Sequence, residues 1–242
     1  MHIFLDPTRL VLHSLAARKP FIAVVINYRL NIFGFAASSN IVAAQKQSQL
    51  RGCNFGINDQ KIALKWTSEN ISSFGGDPQN ITLGGQSAGG CSVNTHILEG
   101  RSSSMLPLFR RAIIQSGAFT SVGIGPVPLE ECEKRWNSLC DYFGIKDQPG
   151  NQQVELLRRM PAEDLIKAGG DLGWMIFFLA SDNLTITALS ETEWSVDFDQ
   201  KQDVAASRPV VGTDPIEVLI GDTEAEVSPI SSCSTEEVLI TC

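Results

Sequence analysis

The stretch Asn80–Gly90, NITLGGQSAGG, joins a short β-branched run to a glycine pair, a serine and then a helix-compatible segment. Ile81, Thr82 and Leu83 favour a strand. From Ser87 onward, the positions to Leu98 suit a helix, which Gly100 closes. Gly85-Gln86-Ser87-Ala88-Gly89 therefore forms a G-x-S-x-G sequence at a predicted strand-to-helix turn. Such a turn lifts the serine hydroxyl clear of the backbone, where a carbonyl carbon can reach it. It also aims backbone N–H groups and the positive end of the helix dipole at the oxyanion that develops. Glycines on either side remove Cβ atoms that would crowd the bend. Ser87 is the candidate nucleophile, and the amide of Ala88 a candidate oxyanion donor. The plainer reading is a serine that caps a helix after a glycine turn; the strand–turn–helix context favours the nucleophile.

Working outward, apolar strand-like runs alternate with helical periodicity, the pattern of an α/β fold. Phe21–Tyr28, FIAVVINY, predicts a strand buried on both faces. RAIIQSG (Arg111–Gly117) and VLIG (Val218–Gly221) predict two more strands. Asn31–Gln49 reads as a loop. A helix is expected to begin near Asn58–Asp59, with Ile62, Ala63, Trp66, Ile71 and Phe74 as its apolar positions. Leu129, Cys132, Trp136, Leu139, Cys140 and Phe143 fall on one helical face. Val154, Leu157 and Met160, then Leu165 and Ile166, predict two shorter helices, while residues 170–207 are mixed and the last dozen show no pattern. Trp66 and Trp136 are expected in the core.

Of the 242 residues, 43% are hydrophobic, enough for one sizeable core. A net charge of −8 disfavours nucleic-acid backbones and anionic lipid as partners. No segment has the length and apolarity of a membrane span, because Gln115, Pro126 and Pro128 interrupt the longest uncharged run. Asp6 and Pro7 break the first apolar stretch and no basic segment precedes it, so no signal peptide is read in this chain. A cytoplasmic setting with reduced thiols is then the default expectation. The six cysteines show neither CxxC pairs nor metal-like spacing with histidine. Cys132 and Cys140 are expected to pack rather than pair. The sequons at Asn70, Asn80 and Asn183 are expected to go unused. No cofactor or metal is implied.

A serine nucleophile needs a base and an orienting acid, in the chain order Ser, Asp/Glu, His for α/β-hydrolases. The strand ending at Gly221 is followed by Asp222, Glu224 and Glu226, any of which could be the acid. The base is harder to find. His2 and His13 precede Ser87, and no histidine follows Glu226. His96 lies nine residues along the same predicted helix, about 13 Å away, and is read as a half-buried helix residue.

The string NFGINDQKIALKWTSENISSFGGDPQNITLGGQSAGG (Asn54–Gly90) resembles the carboxylesterase type B family, which includes cholinesterases and fungal esterases and lipases. INYRLNIFGF (Ile26–Phe35) and LFRRAIIQSGAF (Leu108–Phe119) are similar to the same pattern. The match is specific over residues 7–119, looser over 120–226, and not seen after 227. The resemblance implies an α/β-hydrolase fold and hydrolysis of small-molecule carboxylic esters through an acyl-enzyme at Ser87, without a cofactor. It implies Glu226 as the acid in preference to Asp222, since the family acid stands five residues beyond the strand-ending glycine. Val227 departs from the glycine common there, and Gln86 replaces a frequent glutamate, which weighs against a cationic, choline-like substrate. Residues 120–215 would hold a helical insert shaping the acyl pocket. The family's glycine-rich oxyanion loop and its histidine would fall before and after this sequence. The chain is therefore expected to be an internal piece of the fold, inactive as written. The rival expectation is a catalytically silent relative that binds or scaffolds.

Overall fold

In a computed structural model the apolar runs become strands of one sheet. The structure describes residues 6–45, 52–102, 108–117, 125–174, 179–186, 216–221 and 238–241. By contacts the chain divides into two compact units. One comprises residues 1–27, 60–123 and 191–242, the other 28–59 and 124–190.

The first unit is built on five strands: β1 (Ala23–Val25), β2 (Thr82–Gln86), β3 (Arg111–Gln115), β6 (Glu217–Gly221) and β7 (Val238–Thr241). Their order across the sheet is β1-β7-β2-β3-β6. β2, β3 and β6 are parallel, with Gln86 opposite Gln115 and Gln115 opposite Gly221. β7 runs antiparallel to both β1 and β2. Leu83, Ala112 and Ile114 are buried where helix α5 (Ala88–Ser102) packs across β2 and β3. Near-continuous apolar strands are what a covered parallel sheet requires. β1 departs from expectation. It is three residues long and lies at the end of the sheet, so Ala23 and Val24 are only half-buried and Val25 is exposed. Helix α1 (Thr8–Ala16) also belongs to this unit, and its Leu10, Leu12 and Leu15 are exposed.

Helix α4 (Phe55–Asn70) continues into a 3-10 turn at Ile71–Phe74. It starts three residues before the expected Asn58; just ahead of it the buried side chain of Asn54 is held by Ala180 and Thr185. Its core face in the first unit is Gln60, Leu64, Thr67 and Ile71. Of the expected apolar stripe Ile71 is buried, but Trp66 is 51% exposed and packs tilted against exposed Phe74, ring centroids 6.3 Å apart, and Ile62 is exposed as well.

The second unit contains α2 (Asn31–Phe35), α3 (Ser39–Ala44), β4 (Val127–Pro128), α6 (Leu129–Tyr142), α7 (Gly150–Arg159), α8 (Ala162–Asp171) and β5 (Ala180–Ser181). α2 and α3 correct the loop expected over Asn31–Gln49. The Ser38 hydroxyl accepts from the Ile41 amide at 3.2 Å and caps α3. Helices α6, α7 and α8 each begin directly after a proline: Pro128, Pro149 and Pro161. Proline's missing N–H costs nothing at a helix start. The expected face of α6 holds, with Cys132, Trp136, Leu139 and Cys140 buried. Trp136 donates from Nε1 to Gln153 Oε1 at 2.9 Å, which satisfies the one polar atom of its ring. Cys132 and Cys140 are free and buried, and burial raises each thiol to about 11.

A buried carboxylate organises the loop beyond β5. Asp182 Oδ1 accepts from the amides of Leu184, Thr185 and Ile186 at 3.0, 2.8 and 3.1 Å. Its Oδ2 accepts from the Cys53 amide and the Thr185 hydroxyl, each at 2.6 Å.

Candidate active site at the Ser87 turn

Ser87 is the single residue between β2 and α5, and it is exposed. Its φ is +53°, a conformation that a residue with a Cβ adopts only when its surroundings enforce it. The enforcing contacts are backbone. The Ser87 amide donates to Gln115 O at 2.8 Å, and Ser87 O accepts from the Cys91 amide at 2.9 Å. Glycines allow this closeness. A Cβ on Gly85 would stand 2.3 Å from the carbonyl of Gly89, one on Gly90 2.8 Å from Gly117 Cα, and one on Gly117 2.3 Å from Ser87 O. The end of β2, the first turn of α5 and the bend after β3 thus touch backbone to backbone.

Ala88 opens α5, so its amide is among those that a helix leaves without a carbonyl of its own. The exposed hydroxyl, the N-terminal amides and the helix dipole converge where an oxyanion could be held. The sequence pointed to Gly85 and to the exposed serine. It did not single out Gly90, Gly117 or Gln115, although Gln115-Ser116-Gly117 directly follows the RAII strand and carried that signal.

His96 is fully buried along α5. Its Nε2 donates to Gln60 Oε1 at 2.9 Å, and Gln60 Nε2 donates to Ser92 Oγ at 3.1 Å. Burial, with the charge of Lys61 adding to it, lowers its pKa from 6.5 to about 3. His96 is therefore a neutral core residue whose ring is committed to α4. The nearby Lys61–Glu99 ion pair, at 2.6 Å, closes the same helix interface. The acid candidates Asp222, Glu224 and Glu226, and also His2, lie outside the described residues. Gly221, which precedes Asp222, ends β6 level with Gln115 and hence with Gln86. Among the described residues no cluster of histidine, cysteine or carboxylate side chains could hold a metal ion. No helix among them is long and apolar enough to cross a membrane.

A largely parallel sheet with helices against it and a left-handed serine at a strand-to-helix turn defines the α/β-hydrolase class. The chain belongs to the carboxylesterase family, whose model matches residues 6–240. It is 41% identical over 168 residues to Lipase 5 of Diutina rugosa, covering 68% of this chain and 29% of that protein. It is 35% identical over 168 residues to the inactive carboxylesterase-like protein VdtD of Byssochlamys spectabilis, covering 67% of this chain and 27% of that one. Among solved structures, a PNB esterase is similar with a TM-score of 0.61 at 30% identity, over 86% of this chain and 40% of its own. The chain thus spans less than a third of the length of these curated relatives.

Proposed function

We propose that this chain carries the nucleophile segment of a serine hydrolase acting on carboxylic esters. The observation that carries the reading is Ser87 itself, exposed and held at φ +53° at the head of α5. In this reading Ser87 Oγ adds to the ester carbonyl carbon and its proton passes to a base. The oxyanion rests on the Ala88 amide and the alcohol leaves, after which water releases the acid from the acyl-enzyme. Glu226 is the proposed acid, with Asp222 its alternative. What supports an acid from this segment is that Gly221, the residue before it, ends β6 two strands from Gln86. At about 4.8 Å between neighbouring strands, Gly221 stands about 10 Å from the nucleophile strand. His96 does not serve as the base, because its Nε2 is bound to Gln60. Turnover by the 242-residue chain alone is therefore expected to be slow.

A small external base tests this. Exogenous imidazole should accelerate hydrolysis of p-nitrophenyl butyrate by the chain beyond the rate of imidazole with the ester alone, and Ser87→Ala should remove that excess. Equal imidazole-dependent rates in parent and variant would overturn the assignment. A second reading, a non-catalytic relative, draws on the ring of His96 being locked in the core. It predicts no rate above that of imidazole with the ester alone in either protein.

A further inference from the structure

The unit of residues 28–59 and 124–190 contains a half-open cavity of about 330 Å³ that the Ser87 chemistry does not use. Apolar side chains make its walls: Ile32 and Phe35 of α2, Val127 of β4, Trp136 and Leu139 of α6, and Trp174. Ile32, Trp136 and Leu139 are each less than a tenth exposed and form a buried floor. Among the described residues, its charged side chains come from α6: Glu131, Lys134 and Arg135. Each of the three is already engaged within the protein. Lys134 Nζ lies 2.7 and 2.9 Å from the two carboxylate oxygens of Glu131, and both side chains are more than half exposed, at the mouth. The Arg135 guanidinium lies over the Trp174 ring, 5.9 Å from its centroid. The one polar atom of the Trp136 ring is spent as well, on Gln153. Cys132 also lines the cavity, and burial raises its thiol to about 11, so it stays protonated and unreactive.

We propose that this cavity is a binding site for a neutral, flat aromatic molecule of about two fused rings. Its rings lie against Phe35, Trp136 and Trp174, in the offset or edge-on contacts that aromatic pairs favour. The volume is at the lower end of the range of ligand pockets, which suits a bicyclic body and excludes a bulky lipid. A charge of either sign on the ligand counts against it. Entering the cavity strips the ion of water, and the ionic side chains there are matched to partners of their own, so nothing offsets the loss. A neutral ring system gives up little hydration and gains the burial of its own surface and of the walls. The inference does not rest on the catalytic reading of Ser87.

Three naphthalene derivatives with one body and different charge are the probes: naphthalenemethanol, which is neutral, naphthoate, an anion, and naphthylmethylammonium, a cation. Binding is measured by equilibrium dialysis, with naphthyl emission as the readout, on the full chain and on Ala36→Phe, Val127→Phe and Ser87→Ala variants. Ala36 and Val127 are half-buried wall residues, so a phenyl ring at either one fills the cavity from a different segment of the chain. Circular dichroism checks that each variant is folded, and the charge series on the parent chain stands without any variant. The expected result is one naphthalenemethanol per chain. Naphthoate and naphthylmethylammonium should each bind at least about tenfold more weakly, from uncompensated desolvation of the charge. Each wall variant should weaken naphthalenemethanol at least about tenfold by occupying its space, and Ser87→Ala should bind it like the parent. Absence of naphthalenemethanol binding, either ion binding as tightly as the alcohol, no effect of a folded wall variant, or loss of binding in Ser87→Ala would each overturn the proposal.

Discussion

Replacing Gly85 with alanine tests the backbone contact on which the Ser87 turn depends. The new Cβ would lie 2.3 Å from both the carbonyl carbon and the oxygen of Gly89, where ordinary contact begins near 3.4 Å. Relief requires β2 and the first turn of α5 to part by about 1 Å, because no side chain is there to swing aside. Overpacking costs about 1–3 kcal/mol when side chains can adjust, so a clash of main chain on main chain belongs at or above about 3. Parting the elements also weakens the bond from the Ser87 amide to Gln115 O, about 1 kcal/mol more. The expected loss is about 4 kcal/mol, or roughly 10 °C in the midpoint of a thermal melt followed by circular dichroism. Two controls fix the scale. Gly144 has φ +66° and no atom within 4 Å of a built Cβ, so Gly144→Ala should cost only the left-handed strain of about 1–2 kcal/mol. Gly169, inside α8 with equally open space, should gain about 0.5–1 kcal/mol as alanine. A Gly85→Ala protein within about 1 kcal/mol of the parent would refute the close contact, and with it the explanation for the strained serine.

Two further outcomes are expected. Asp182→Ala removes five hydrogen bonds at once from a buried site and should cost at least about 3 kcal/mol in urea unfolding, whereas an equivalent change at the exposed Asp147 should cost under about 0.5. The second concerns pH. His96 is about 3 when folded and 6.5 when free, so the unfolded chain binds the extra proton between those values. Stability should therefore be full above pH 6.5 and fall as pH drops toward 3, by up to about 1.4 kcal/mol per pH unit. A His96→Gln variant should lose that part of the slope; an unchanged acid limb would show that the ring is not buried neutral.

How far the fold could be read in advance depended on which force shaped each element. The strand RAIIQ was legible because a parallel strand inside a covered sheet must be largely apolar; VLIG carried the same apolar signal, although β6 ends the sheet and its Val218, Leu219 and Ile220 are exposed. The Ser87 turn was legible because a sharp strand-to-helix bend leaves glycines in its wake. Helix α4 was found but turned the wrong way. Its core face includes Gln60 and Thr67, both fully buried and both hydrogen-bonded, Gln60 to Ser92 and His96 and Thr67 to Ala63 O. Counting apolar residues assigns such a face to solvent and sends Trp66 to the core. α2 and α3 were hidden because Asn, Ser and Ala carry little periodic signal, and α3 depends on the cap from Ser38. Asp182 gave no local sign, since its partners include Cys53, far away in sequence.

The place of β7 in the sheet has a consequence for how the protein is made. On one side, β2 meets β3 after fewer than about thirty further residues have been synthesised. On the other, Gly85 waits for Val238, and at ordinary translation rates the intervening 150 or so residues take roughly 8 to 30 s. Throughout that interval the nascent chain shows a bare strand edge directly beside its serine, able to pair with any extended segment that reaches it first. β1 is in the same position, since among the described strands its partner is β7. The order of synthesis thus leaves the middle of this sheet, rather than its rim, as the last seam to close.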